Sequence, residues 1–125
     1  MKTILVVEND PNQLLLYRQE LSLEGYNVIT AEDGDKALKK IKEYSIGLIV
    51  MDIILPGMNG VELMDSILNE RWEIPIIINT AYSGYKNDFV TRKADAYIIK
   101  SSDLSKLKNM IKQLIEVKKF TNGIE

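Results

Sequence analysis

The sequence predicts an α/β fold built on a parallel sheet with helices on both faces, and three observations carry that expectation. Short apolar runs alternate with amphipathic stretches along the whole chain, the order that produces right-handed β-α-β crossovers. The run I-G-L-I-V-M-D, from Ile46 to Asp52, is continuously apolar until its last residue, as expected of a strand covered on both sides. Polar residues gather where the apolar runs end, the edge at which open α/β sheets hold their ligands.

Thr3 to Val7 is the first strand, and Glu8-Asn9-Asp10 follow it. Asp10 is placed to cap a helix whose first position is Pro11, where proline is best tolerated. Leu14, Tyr17 and Leu21 form the apolar stripe of that helix, which stops near Gly25. Tyr26 to Ala31 is a second strand, and Glu32-Asp33-Gly34-Asp35 a turn into a helix with Ala37, Leu38 and Ile41 inward. Lys36, Lys39, Lys40 and Lys42 form its solvated face.

The third strand delivers Asp52 and is ended by Pro56, Gly57 and Gly60. A helix over Val61 to Asn69 turns Val61, Met64, Ile67 and Leu68 inward. Pro75 precedes a fourth strand, Ile76 to Ile78, which runs into Asn79, Thr80 and Ala81. Ser83 to Lys93 is the weakest helix: Gly84, Asn87, Asp88 and Thr91 are poor helix formers, and only Phe89 and Val90 anchor it. It is expected to be short or mobile. Ala96 to Ile99 is the fifth strand, before Lys100. Ser101-Ser102-Asp103 cap a last helix with Leu104, Leu107, Met110, Ile111, Leu114 and Ile115 inward. One domain over residues 1–120 and a short tail, 121–125, are expected.

Composition bounds the chemistry. With 125 residues, 46% hydrophobic and 27% charged, the chain can bury one core and is not a disordered sequence. A formal net charge of -2 gives no support to direct nucleic-acid binding. Cysteine and histidine are both absent, which excludes disulfides, thiol catalysis, imidazole triads and the usual zinc sites. Glu8 interrupts the first apolar run before it reaches the roughly 7 residues of a secretory core. No segment approaches the ~20 apolar residues of a membrane span, so a cytoplasmic domain is expected.

The ends of strands one, three, four and five bring Glu8-Asn9-Asp10, Asp52, Thr80 and Lys100 to one edge. Carboxylate and amide oxygens suit Mg²⁺. A lysine can pair with a phosphoryl oxygen, and a threonine hydroxyl can donate a further hydrogen bond. Asp52 can then act as a nucleophile that forms an acyl phosphate. Taken singly, Asp52 reads as a turn residue, Thr80 as a strand former and Lys100 as a surface lysine. Their joint occurrence at one edge favours a site.

These stretches resemble the receiver domain of two-component response regulators. The similarity runs through I-L-V-V-E-N-D-P, E-G-Y-N-V-I-T-A-E-D-G-D-K-A-L, M-D-I-I-L-P-G-M-N-G, P-I-I-I-N-T-A-Y and A-D-A-Y-I-I-K. The resemblance implies a flavodoxin-like (βα)₅ sandwich with strand order 2-1-3-4-5 and Asp52 as phosphoacceptor. It implies Thr80 and Tyr97 as switch residues and Lys100 as the phosphate-pairing lysine. Glu8, Asn9, Asp52 and the backbone carbonyl of Ile54 would surround Mg²⁺, Glu8 through water, with Asp10 a helix cap. Ile54 and Tyr82 occupy the places that tune phosphate lifetime, and bulky side chains there are expected to slow hydrolysis. The donor would be a histidine kinase or phosphotransfer protein. The output would be a protein contact or output domain reached through the face of the fourth helix, fifth strand and fifth helix, without enzymatic turnover of other substrates.

The sequence departs from the family pattern at Asn9, where a second acidic residue is usual, and its neutral amide is expected to weaken metal binding. Ser101 replaces a common proline, so a trans Lys100-Ser101 bond is expected, or else a strained exception. Asn59 and Lys93 are milder changes. Asn9 and Ser101 also motivate a second class, an atypical receiver that binds partners without phosphorylation. A hydrolase is disfavoured because the first loop lacks a P-loop glycine pattern and Ile54 stands where a phosphatase would carry its second aspartate.

Overall fold

Five short strands lie in one parallel sheet: β1 (Thr3–Val7), β2 (Asn27–Ala31), β3 (Leu48–Met51), β4 (Ile76–Thr80) and β5 (Ala96–Ile99). Their order is β2-β1-β3-β4-β5, the flavodoxin-like arrangement that the resemblance implies. Helices α1 (Pro11–Leu23), α2 (Gly34–Glu43), α3 (Gly60–Arg71), α4 (Lys86–Thr91) and α5 (Ser105–Ile124) alternate with them. The computed structural model describes residues 2–91 and 94–124, with the side chains of 89–91 and 117–124 left aside.

Two apolar layers sandwich the sheet. Ile4, Val6, Leu48, Val50, Ile77 and Ile98 pack against Tyr17 and Leu21 of α1 and Leu107 and Ile111 of α5. Leu5, Val7, Ile49, Met51, Ile76 and Ile78 pack against Ala37 and Ile41 of α2 and Leu63, Met64 and Ile67 of α3. Successive strand residues point to opposite faces, and both faces are buried, which is why β3 reads as a continuous apolar run. Carried to the carboxyl edge, the alternation puts Glu8, Asp52, Asn79 and Lys100 on the α1/α5 side, and Thr80 and Tyr97 on the other.

The caps form as their sequences suggest. Asp10 Oδ1 accepts from the Asn12 amide at 2.9 Å, with Pro11 at the first turn of α1. At the other end Gly25 adopts φ +95°, while the Gly25 and Tyr26 amides bond back to the Ser22 and Leu21 carbonyls. This is a Schellman ending. It takes Tyr26 out of β2, which starts one residue later than expected. Before α5, Asp103 Oδ1 accepts from the Ser105 amide at 3.0 Å, and Ser101 Oγ accepts from the Asp103 amide at 3.1 Å.

Several expectations change. α3 begins at Gly60, capped by Asn59, whose Oδ1 accepts from the Glu62 amide at 2.8 Å. Its buried stripe is therefore Gly60, Leu63, Met64 and Ile67; Leu63 joins it, while Val61 and Leu68, both expected inward, are only partly buried against the same layer. Lys40 is not a solvated lysine: it is half-buried and donates to the Thr30 carbonyl at 2.7 Å. β4 runs on to Thr80. α4 is a six-residue helix that starts at Lys86 rather than near Ser83. Its expected anchors Phe89 and Val90 lie outside the described side chains, and Lys93 outside the described residues. α5 continues to Ile124, past position 120. No cis peptide bond occurs among the described residues, so Lys100-Ser101 is trans.

Gly60 holds the start of α3 against the loop that carries Asp52. A Cβ at position 60 would come within 2.7 Å of Ile53 Cα, a backbone atom, whereas one at Gly84 meets nothing within 4 Å. Gly60→Ala is therefore expected to destabilise the domain by about 1–3 kcal/mol despite alanine's better helix propensity. Gly84→Ala should leave the urea midpoint nearly unchanged, and urea denaturation of the two variants checks both.

Candidate functional site at the carboxyl edge of the sheet

β1 and β3 are hydrogen-bonded neighbours, so their ends deliver two carboxylates side by side. Glu8 is 4% and Asp52 8% exposed. Such a pair repels and demands a counter-charge. It comes from Lys100, beyond β5, whose Nζ lies 2.5 Å from Glu8 Oε1 and 2.7 Å from Asp52 Oδ2. β4 separates β3 from β5 in the sheet, so the lysine stem has to cross the end of β4 to reach them. The Lys100 amide donates to the Thr80 carbonyl at 2.7 Å, which anchors the start of that path.

Backbone amides aim the remaining oxygens. Ile53 and Ile54 donate to Asp52 Oδ1 at 2.6 and 3.3 Å. The Asp10 amide donates to Glu8 Oε2 at 3.1 Å. Asp52 thus has one oxygen in a backbone cradle and the other on Lys100. Burial disfavours the Lys100 ammonium, but hydrogen bonds to Asp52 and Glu8 outweigh it and raise the pKa above the ordinary 10.5. The lysine is charged throughout the physiological range.

The other anticipated residues are placed unequally. Thr80 is fully buried at the end of β4, its Oγ1 accepting from the Tyr82 amide at 3.4 Å. Tyr97 is half-buried against the α2/α3 layer and its hydroxyl donates to the Tyr82 carbonyl. Burial pushes that hydroxyl's pKa up, opposed by a backbone hydrogen bond at Tyr85. Ile54 and Tyr82 are 53% and 52% exposed and flank the cluster. Asn9 is exposed and its amide nitrogen points to the Glu32 carbonyl at 3.4 Å.

The donor set suits a hard divalent cation. Glu8 and Asp52 carry two buried negative charges against one from Lys100. No group of three or more Asp, Glu, His or Cys ligands assembles among the described residues. Two carboxylates supplemented by carbonyls and water are what Mg²⁺ accepts, whereas Zn²⁺ needs a richer protein cage.

One pair was missed from sequence. Asn79 Nδ2 donates to Tyr17 Oη at 3.0 Å, and that hydroxyl donates to Gln13 Oε1 at 2.8 Å. Burial raises the Tyr17 pKa, with the Asn79 hydrogen bond and the Lys100 charge opposing it. The signal was available: an asparagine inside I-I-I-N-T has to find a partner once buried, and an inward tyrosine on α1 offers one.

Fold and edge cluster together define a flavodoxin-like domain with a charged, partly enclosed acidic site. The family model of the response regulator receiver domain matches residues 4–112. Response regulator ArlR of Staphylococcus aureus is 35% identical over 117 residues, covering 92% of this chain and 53% of that protein. Response regulator TrrA of Thermotoga maritima, solved in complex with Mg²⁺-BeF, is 41% identical with a TM-score of 0.86 over 91% of this chain and 99% of that one. TrrA in complex with the histidine kinase ThkA superimposes with a TM-score of 0.84, again at 41% identity, over 91% and 98%. A receiver domain protein of Methanospirillum hungatei, 32% identical, gives 0.91 over 97% and 98%. The chain belongs to the response regulator receiver domain family of two-component systems. It spans 33% to 53% of the length of the curated relatives first matched. Among the described residues no helix is long and apolar enough to cross a membrane.

Because the Lys100 pKa is raised in the folded state, its contribution to stability is complete below the ordinary lysine value of 10.5 and is lost as pH rises through the higher folded value. Lys100→Met is expected to lower stability at pH 7 by about 2–4 kcal/mol, since it leaves two buried carboxylates facing each other. The fall in stability above pH 10.5 should be shallower in the variant than in the wild type. Urea melts across pH 7 to roughly 11.5 would show both effects.

Proposed function

We propose that the domain, over residues 1–120, accepts a phosphoryl group on Asp52 from a phosphohistidine of a histidine kinase or phosphotransfer protein. The observation that carries this reading is the Lys100 bridge between buried Glu8 and Asp52 in a chain of the receiver family. TrrA, its relative, is solved with a histidine kinase and with Mg²⁺-BeF.

Asp52 Oδ2 attacks phosphorus, the P–O bond forms as the P–N bond to the donor imidazole breaks, and the electron pair leaves with that imidazole. The Ile53 and Ile54 amides hold Oδ1 and so orient the nucleophilic oxygen. Asp52, the Ile54 carbonyl and, more weakly, Asn9 would hold Mg²⁺, with Glu8 reaching it through water, and the bound ion would supply positive charge against the transferring group. Lys100 exchanges Asp52 Oδ2 for a phosphoryl oxygen without leaving the site. Thr80 would turn its hydroxyl to another. Tyr97 would follow inward and reshape the α4-β5-α5 face for a downstream protein or output domain. The chain turns over no other substrate and works in the cytoplasm.

Incubation with Mg²⁺ and acetyl phosphate should add one phosphoryl group to the intact mass, and Asp52→Asn should remove that gain. An unmodified wild-type chain would sink the reading and return the alternative of a phosphorylation-independent interaction module. Ile54→Ala and Tyr82→Ala uncover the acyl phosphate to water. Each is expected to speed its hydrolysis by roughly 2- to 10-fold, on the order of 1 kcal/mol in barrier, as followed by loss of the added mass with time.

A further inference from the structure

The α1/α5 side of the sheet is apolar up to the carboxyl edge, where the Asn79–Tyr17 pair sits directly beneath the Glu8–Lys100–Asp52 cluster. Asn79 and Tyr17 are both almost fully buried. Asn79 stands in register with Ile98 on the neighbouring strand, two residues before Lys100 and on the same side of the sheet, so the pair and the cluster occupy adjoining places at the edge. The hydroxyl is fully engaged, as acceptor from Asn79 and donor to Gln13.

Its position along α1 is what gives the pair a role. α1 starts at Pro11, immediately after the loop whose Asp10 amide holds Glu8 Oε2. Any slide of α1 along its axis moves Asp10 and therefore Glu8. The contacts of Leu14 and Leu21 with the apolar layer are non-directional and tolerate such a slide. A 3.0 Å hydrogen bond to the end of β4 does not tolerate it. The strut also ends next to Thr80, so it ties α1 to the strand end that the lysine stem crosses.

We propose that the Tyr17–Asn79 hydrogen bond is a positioning strut that fixes the height of α1 against β4 and thereby sets the Glu8 carboxylate for divalent-cation binding. Tyr17 and Asn79 are positioning residues: they act on the site through Asp10 and Glu8. The cation arm rests on the reading that Glu8 and Asp52 take up Mg²⁺.

Three variants separate positioning from simple core satisfaction: Tyr17→Phe, Asn79→Leu and the double variant. Tyr17→Phe leaves the buried Asn79 amide without its acceptor, and Asn79→Leu leaves the Tyr17 hydroxyl bonded to Gln13 alone; the double removes both buried groups, so most of the stability lost in Tyr17→Phe should return in it. Urea denaturation reads stability, and amide NMR during a Mg²⁺ titration reads both cation affinity and the Asp10 amide resonance. The strut predicts that all three variants bind Mg²⁺ about 10-fold more weakly, and that the Asp10 amide resonance shifts in each, including the restabilised double. If a single variant does not fold, the double carries the test. A double variant with regained stability, wild-type Mg²⁺ affinity and an unmoved Asp10 resonance would overturn the proposal. If the wild type itself takes up no Mg²⁺, the phosphoacceptor reading falls separately. The strut is then decided in metal-free protein: a shifted Asp10 resonance in the double supports it, and an unmoved one overturns it.

Discussion

Two ionised carboxylates at the ends of adjacent parallel strands repel strongly in a protein interior unless a cation offsets them, and Lys100 is the cation this fold supplies. The constraint reaches far into the structure. Parallel pairing of β1 with β3 brings Glu8 and Asp52 together, and pairing of β4 with β5 brings Lys100 within reach of them. A charge-assisted hydrogen bond to each carboxylate makes the lysine part of the sheet's edge, not a surface ornament. Loss of register in any of these strands would strand a buried charge. The cluster proposed to receive a phosphoryl group therefore also fastens the carboxyl edge.

The edge is divided by the sheet. Glu8, Asp52, Lys100 and the Asn79–Tyr17 pair occupy the α1/α5 side, while Thr80 and Tyr97 occupy the other. The two sides meet through the backbone, since the Lys100 amide bonds the Thr80 carbonyl and the Tyr97 hydroxyl bonds the Tyr82 carbonyl just beyond it. Two hydrogen bonds thus join the edge cluster's strand ends to the loop before α4. That helix is described over six residues, Lys86–Thr91, and short helices hold little stability of their own. A brief element with few internal bonds is the one most readily displaced.

Among the described residues, the three that depart from the family pattern have local hydrogen-bonding roles. Asn9 links the end of β1 to the Glu32 carbonyl after β2. Asn59 caps α3 through Oδ1, and its side-chain amide nitrogen also donates to the Glu62 carboxylate at 2.9 Å. Ser101 accepts from the Asp103 amide and leads into α5. These contacts keep the loops in place, and the acidic character of the site falls on Glu8 and Asp52.

The alternation of strands and helices and the identity of the edge residues were legible because they follow from periodicity and spacing: continuous apolar runs mark strands buried on both faces, and polar residues at their ends mark one edge; the strand order came from the family resemblance. Helix caps were legible too, since Asp10, Pro11 and Asp103 act on backbone groups within a few residues. The exact face of α3 was not, because a shift of one residue between Gly60 and Val61 leaves the apolar count almost unchanged while close packing on Ile53 selects one of them. Nor was Lys40's bond to Thr30, or the bonds of Lys100 to Glu8 and of Asn79 to Tyr17, which join residues 92 and 62 positions apart. By itself the sequence determined which chemical groups reach the edge of the sheet. Only the tertiary structure decided which of them pair, because a buried charge or amide takes its partner from whatever the packing of distant strands and helices brings within about 3 Å.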